Sequence, residues 1–192
     1  MSYEKRSQLN RHACLFLIVV GLAVASCSER SNVASNPKTE NPPTAVAPAA
    51  VPSYRASLEE GISFAKPGYP EFVAKTQGIS QTEPFGRWTD GAKAVIVFKD
   101  PLPKKFDLVL QGAAYGPNID QPVKVTIGTM SQEFSFNSDL NKEAQTRRLS
   151  FYMEQPADRI EFLIPQPTQP TNGDVRKLGI ALVDMKIEAA AK

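Results

Sequence analysis

The sequence predicts an all-β fold, a jelly-roll-like β-sandwich, and three observations carry it. Apolar residues alternate with polar ones in six short runs between residues 106 and 182. Glycine, proline and asparagine punctuate the gaps between runs. No stretch of that region holds a long helical stripe. Alternation with period two marks a strand with one buried face, because successive side chains leave opposite sides of the pleat. Many such strands with spaced turns argue a sandwich.

The N-terminus reads as a targeting segment. Lys5, Arg6 and Arg11 lead a nearly all-apolar run from Ala13 to Ala25. Leu22-Ala23-Val24-Ala25-Ser26-Cys27 then places small residues before a cysteine. This is the layout of a secretory signal peptide, and the run falls short of the roughly 20 apolar residues a spanning helix needs. With cysteine at the cut, residues 1–26 resemble a bacterial lipoprotein signal. That resemblance implies acylation of Cys27 as the first mature residue, and hence a cell-envelope protein tied to a membrane and facing the periplasm. Buried lipid methylenes add about 0.8 kcal/mol each, so several chains hold firmly. Ser28 stands where an aspartate would favour the inner membrane in enteric-type lipoproteins, which leans the expectation toward the outer membrane.

Residues 27–57 read as the lipidated cysteine plus a disordered linker. Pro37, Pro42, Pro43, Pro48 and Pro52 are spread among Ala, Ser, Asn and Thr, with few large apolar side chains. Such chain buries too little surface to offset its ordering entropy. It serves as a semi-extended spacer or as a mere tail; composition fits both.

Residues 58–192 read as the β-sandwich domain. Its inward sets are Phe106/Leu108/Leu110, Val123/Val125/Ile127, Phe134/Phe136, Leu149/Phe151/Met153, Ile160/Phe162/Ile164 and Leu178/Ile180/Leu182. After Leu182 the apolar set shifts parity to Val183, Met185 and Ile187, which predicts a β-bulge near Leu182-Val183. Asp90-Gly91, Asp100-Pro101, Gly116-Pro117-Asn118 and Asn172-Gly173 predict turns. Residues 138–147 predict a helical turn or two capped by Ser138.

Composition narrows the chemistry. The sole histidine, His12, and Cys14 both lie in the signal, and Cys27 is the lipid site. The mature chain therefore has no Ser-His-Asp triad, no Cys-His pair, no histidine or thiolate zinc site and no internal disulfide. No aspartate-rich loop suggests calcium, and no metal or cofactor is expected. Of 22 basic and 20 acidic residues the signal removes three and one, leaving 19 of each. That balance, with no basic block, argues against a nucleic-acid partner.

Three motifs stand out in order: Gly78-Ile79-Ser80-Gln81-Thr82-Glu83-Pro84-Phe85-Gly86-Arg87-Trp88-Thr89, then Tyr115-Gly116-Pro117-Asn118, then Asp174-Val175-Arg176-Lys177-Leu178-Gly179-Ile180. Together they resemble the C-terminal accessory domain of bacterial phosphoglycerol transferase I enzymes, over about Gly61 to Ile187. The resemblance implies a sandwich of the carbohydrate-binding-module type and a setting among periplasmic glucans. It leaves out the family's transferase domain, with its metal-bound acids and histidines.

Two readings of the motif residues stay open. As a ligand site, Trp88 or Tyr115 offers a flat apolar face to a pyranose ring, and Glu83, Arg87, Asn118, Asp174 and Arg176 exchange hydrogen bonds with vicinal hydroxyls. As structure, Trp88 is core and Glu83–Arg87 and Asp174–Arg176 are ion pairs pinning loops. The functional expectation is a non-catalytic envelope protein that binds a glycan or docks on a glycan-modifying enzyme. The alternatives are a scaffold within an envelope complex, and an enzyme acting on glycans or phosphoglycerol through Glu83 and Asp174.

Overall fold

The computed structural model describes residues 52–190. The readings made on residues 1–51, including the signal peptide, Cys27 and most of the linker, lie outside them. Twelve strands account for nearly all the regular structure: β1 (Ser53–Tyr54), β2 (Ile62–Ser63), β3 (Tyr69–Pro70), β4 (Val73–Gln77), β5 (Arg87–Asp90), β6 (Lys93–Phe98), β7 (Lys105–Ala114), β8 (Val123–Ile127), β9 (Met130–Phe134), β10 (Gln145–Tyr152), β11 (Arg159–Leu163) and β12 (Leu178–Ala189). The only helical piece among the described residues is a single 3-10 turn, Gly116–Asn118, with Pro117 in its first turn.

The fold is an all-β, jelly-roll-like sandwich. One sheet runs β10-β7-β12-β2, with β5 also on β12; the other runs β4-β6-β11-β8-β9. From β4 onward the chain crosses between sheets at almost every connection, and all pairings within the two sheets are antiparallel. A short parallel ribbon joins β1 to β3. Among the described residues pairing starts at Ser53, within the stretch that composition reads as linker. Tyr54 explains the earlier start, since its hydroxyl accepts from the Ser63 amide at 3.1 Å.

The inward sets expected from alternation form the core. Phe106, Leu108, Leu110, Phe151, Ile180 and Leu182 of one sheet meet Ile96, Val125, Ile127, Ile160 and Phe162 of the other in one buried cluster. Phe106 and Phe151 stack across β7 and β10 at 5.7 Å. Each such side chain contributes about 1.5–3 kcal/mol of burial.

The parity shift is a bulge. Leu182 pairs with Gly112 and Asp184 with Gln111, so Val183 is the extra residue. Leu182 before it and Met185 after it are both buried, because one added residue re-aims the pleat. The bulge also divides one edge of β12 between two partners, β5 before it and β2 after it. The Val183 carbonyl accepts from the Phe64 amide at 2.9 Å.

Residues 138–147 are not helical. Residues 138–144 form a turn, and β10 starts at Gln145. The Ser138 hydroxyl donates to the Glu143 carbonyl at 3.0 Å instead of capping a helix, and Asp139 Oδ1 accepts from the Asn141 amide at 3.1 Å. Such side-chain bonds favour turns over helix. Pairing with β7 then claims the rest of the segment as strand.

Candidate functional site

The short strand β5 separates its residues onto two faces, and this decides what the second half of the long motif does. Trp88 points away from the main core. It pairs in register with Ala181 and lies in a small separate cluster with Ala113 and Leu178. The two alanines leave room for the indole against the sheet. Phe85 and Tyr115 close over it, edge-on at 5.3 and 5.6 Å, with Leu140 beside them. Trp88 is left 9% exposed, so it is packing and not a platform. The half-buried rings of Phe85 and Tyr115 form the exposed rim of this cluster.

Arg87 faces the other way and is buried. Its guanidinium donates to four carbonyls: Phe64 at 3.3 Å, Ser80 at 3.4 Å, Lys66 at 3.2 Å and Gly68 at 3.1 Å. It lies 4.5 Å from the centre of the Tyr69 ring. The expected Glu83–Arg87 pair does not form. Alternation in β5 sends Arg87 toward the 64–68 loop, and Glu83 finds another cation.

That cation is Arg176. Its Nη1 donates to Glu83 Oε1 at 2.7 Å and its Nη2 to Asp174 Oδ2 at 2.6 Å. The Arg176 amide donates to Asp174 Oδ1 at 2.9 Å, so the Asp174–Arg176 pair forms as expected and gains Glu83 as a second acid. Glu83 sits at the base of a tight hairpin whose amides and carbonyls exchange with Gly86 at 2.8 and 3.0 Å. Gly86 is required there: φ is 150°, and a Cβ would stand 2.1 Å from the Leu182 carbonyl oxygen. The ion pair therefore ties the hairpin carrying Phe85 to the loop that enters β12. Hydrogen bonds from Arg176 hold the Asp174 carboxyl below the usual carboxylate range, and the acids hold Arg176 more firmly protonated. A general acid needs the opposite shift.

Asn118 is fully buried and belongs to the scaffold. Its Nδ2 donates to the Tyr115 and Gln166 carbonyls at 3.1 and 2.8 Å, and its Oδ1 accepts from the Gln166 amide at 3.0 Å. Of the seven predicted site residues, Glu83, Trp88, Tyr115, Asp174 and Arg176 thus gather around one aromatic cluster and its bordering ion pair. Arg87 and Asn118 are spent elsewhere on backbone carbonyls.

Sequence reasoning missed two features. The first is Phe85, legible as the tip residue between Pro84 and Gly86. The second is a polar network on the outward face of the same sheet. Arg148 of β10 bridges Asp107 of β7 at 3.0 Å and Glu188 of β12 at 2.8 Å, while the Ser150 hydroxyl donates to Asp107 at 2.6 Å. These residues occupy the polar positions of three alternating runs, so parity alone placed them on one face.

Fold and surface together define a small β-sandwich module with an aromatic cluster outside its main core. The chain belongs to the family described as Domain of unknown function (DUF7024), which matches residues 51–189. Phosphoglycerol transferase I of Escherichia coli is 38% identical over 128 residues, covering 62% of this chain and 16% of that protein. The protein of the same name from Shigella boydii serotype 18 matches to the same extent, 38% over 128 residues. The resemblance carried by the three motifs is therefore real, and the chain spans 16% of the length of these curated relatives. Among solved structures, a family 29 carbohydrate-binding module complexed with mannohexaose is similar with a TM-score of 0.45 and 14% identity, over 67% of this chain and 89% of that one. A second structure of that module gives 0.46 and 15%. Likeness of this extent bears on neither ligand nor site.

Proposed function

We propose that this chain is a lipid-anchored envelope protein whose sandwich binds an envelope glycan, or docks on an enzyme that modifies one, without catalysis of its own. The observation that carries the reading is the rim of Phe85 and Tyr115, propped edge-on by Trp88 and bordered by the Glu83–Arg176–Asp174 group. Half-exposed rings on a rigid base suit stacking against the apolar face of a sugar. Glu83 engages Arg176 through Oε1 alone, which leaves Oε2 to accept from a ligand hydroxyl. The relationship to phosphoglycerol transferase I supports a setting among periplasmic glucans.

Trp88 is the sole tryptophan and touches both rim rings, so its fluorescence reports on them. Titrating the full chain with periplasmic glucan is expected to shift that emission. Phe85→Ala and Tyr115→Ala are each expected to weaken binding about tenfold, from the roughly 1–1.5 kcal/mol of a lost aromatic contact. Absence of binding, or binding unmoved in both variants, removes the glycan reading; crosslinking then tests for a glycan-modifying enzyme as partner. Labelled palmitate incorporated by the natural chain and not by Cys27→Ala supports the anchor.

A further inference from the structure

On the opposite side of β5 from the aromatic cluster lies a cleft of about 620 Å³, between the β1–β3 ribbon, β4 and residues 79–81. That volume falls in the range of roughly 300–1,000 Å³ typical of small-molecule sites. Arg87, Lys75 and Lys99 line it, against one acid, Glu71, which already faces Arg55 at 3.8 Å. Among the described residues no carboxylate pairs with Arg87, Lys75 or Lys99. Arg87 is held by four carbonyls and the Tyr69 ring and pairs with no carboxylate among the described residues, so it keeps its full positive charge beside the cleft. Tyr69, also on the lining, has a buried hydroxyl with no hydrogen-bond partner among the described residues. That hydroxyl is closed off from the cleft as well, so Tyr69 gives the lining its ring and not a donor.

We infer that this cleft is a second ligand site, distinct from the aromatic rim, for a small oxyanion carried on a hydroxylated body, such as a sugar phosphate or a sugar acid. The anion faces Lys75 and Lys99 in the field of Arg87. A neutral sugar would leave the three cations as they are. Phosphate and carboxylate satisfy the same donors, and the test separates them.

The experiment measures binding and thermal stability of the full chain with glucose 6-phosphate, glucuronate, glucose and inorganic phosphate. Binding of glucose 6-phosphate or glucuronate, with glucose silent, is expected, and their order assigns the anion. The Lys75→Gln/Lys99→Gln double variant should bind about tenfold more weakly, as lost charge-assisted bonds imply. No anion binding, glucose bound as tightly as its phosphate, or affinity unmoved in the double variant overturns the inference. Inorganic phosphate bound as tightly as glucose 6-phosphate overturns the hydroxylated body, and loss of anion binding in Tyr115→Ala overturns the separateness of the two sites.

Discussion

Replacing Arg87 with methionine tests whether this residue is a structural clamp. The side chain keeps its apolar stem and loses the guanidinium that joins the Phe64, Lys66, Gly68 and Ser80 carbonyls at 3.1 to 3.4 Å. These bonds are long, so each falls at the low end of the ~1.5–3 kcal/mol typical of bonds to a charged group. Lys66 is exposed and its carbonyl can turn to water; Phe64 and Gly68 are buried. Two stranded carbonyls at about 1–3 kcal/mol each, plus about 0.5–1 kcal/mol for the lost contact with the Tyr69 ring, set the gross cost. Relief of a desolvated charge returns part of it. A net loss of about 3 kcal/mol is expected, or about 10 °C in melting temperature for a domain of this size. Urea and thermal unfolding of the full chain measure it. Arg87→Lys keeps the charge, but one ammonium cannot span four carbonyls, so it should recover less than half the loss. A shift under about 1 kcal/mol for methionine, or full recovery with lysine, would refute the clamp.

Asn118→Ala should cost about 2–3 kcal/mol by orphaning the Gln166 amide and carbonyl, and Asn118→Asp should do no better, since a carboxylate cannot donate to the Gln166 and Tyr115 carbonyls. Gly86→Ala should destabilise by about 3 kcal/mol through strain and a clash with β12. Gly91→Ala, at φ 95° with open space around its Cβ, should cost only about 1 kcal/mol; equal losses would sink the argument from the close approach. Asp174 and Glu188 both lie below the ordinary carboxylate range because Arg176 and Arg148 donate to them. Each binds fewer protons folded than unfolded, so its stabilisation is complete above about pH 4–5 and is lost as pH falls through the lowered value. Asp174→Asn and Glu188→Gln should therefore flatten the acid limb of stability against pH, measured as urea midpoints at successive pH values, and a limb unchanged in both would refute the assignment.

Much of the sandwich was legible because burial on one face of a strand writes itself into local order. Leu182, Val183 and Met185 even disclosed the bulge, since a change of parity inside one apolar run has few other physical meanings. The turn at 138–144 was misread because a serine followed by polar residues serves a helix cap and an Asx turn alike. What chose between them was the demand of β7 for a partner strand, which lies more than thirty positions back in the chain: Gln145 pairs with Gly112.

The charged residues were harder to read for the same reason. Glu83 and Arg87 are four apart in sequence, yet β5 turns Arg87 inward and the fold brings Arg176 from 93 positions away to take the glutamate. Trp88 likewise became packing only because Ala113 and Ala181, from two other strands, leave a hollow that Phe85 and Tyr115 cover. The strand periodicity, the turn sites and the motif kinship belonged to the sequence, because each depends on neighbours along the chain. Which charges meet, which rings stay uncovered and where a cation-rich cleft opens depended on strand order and register, which bring distant residues within bonding distance.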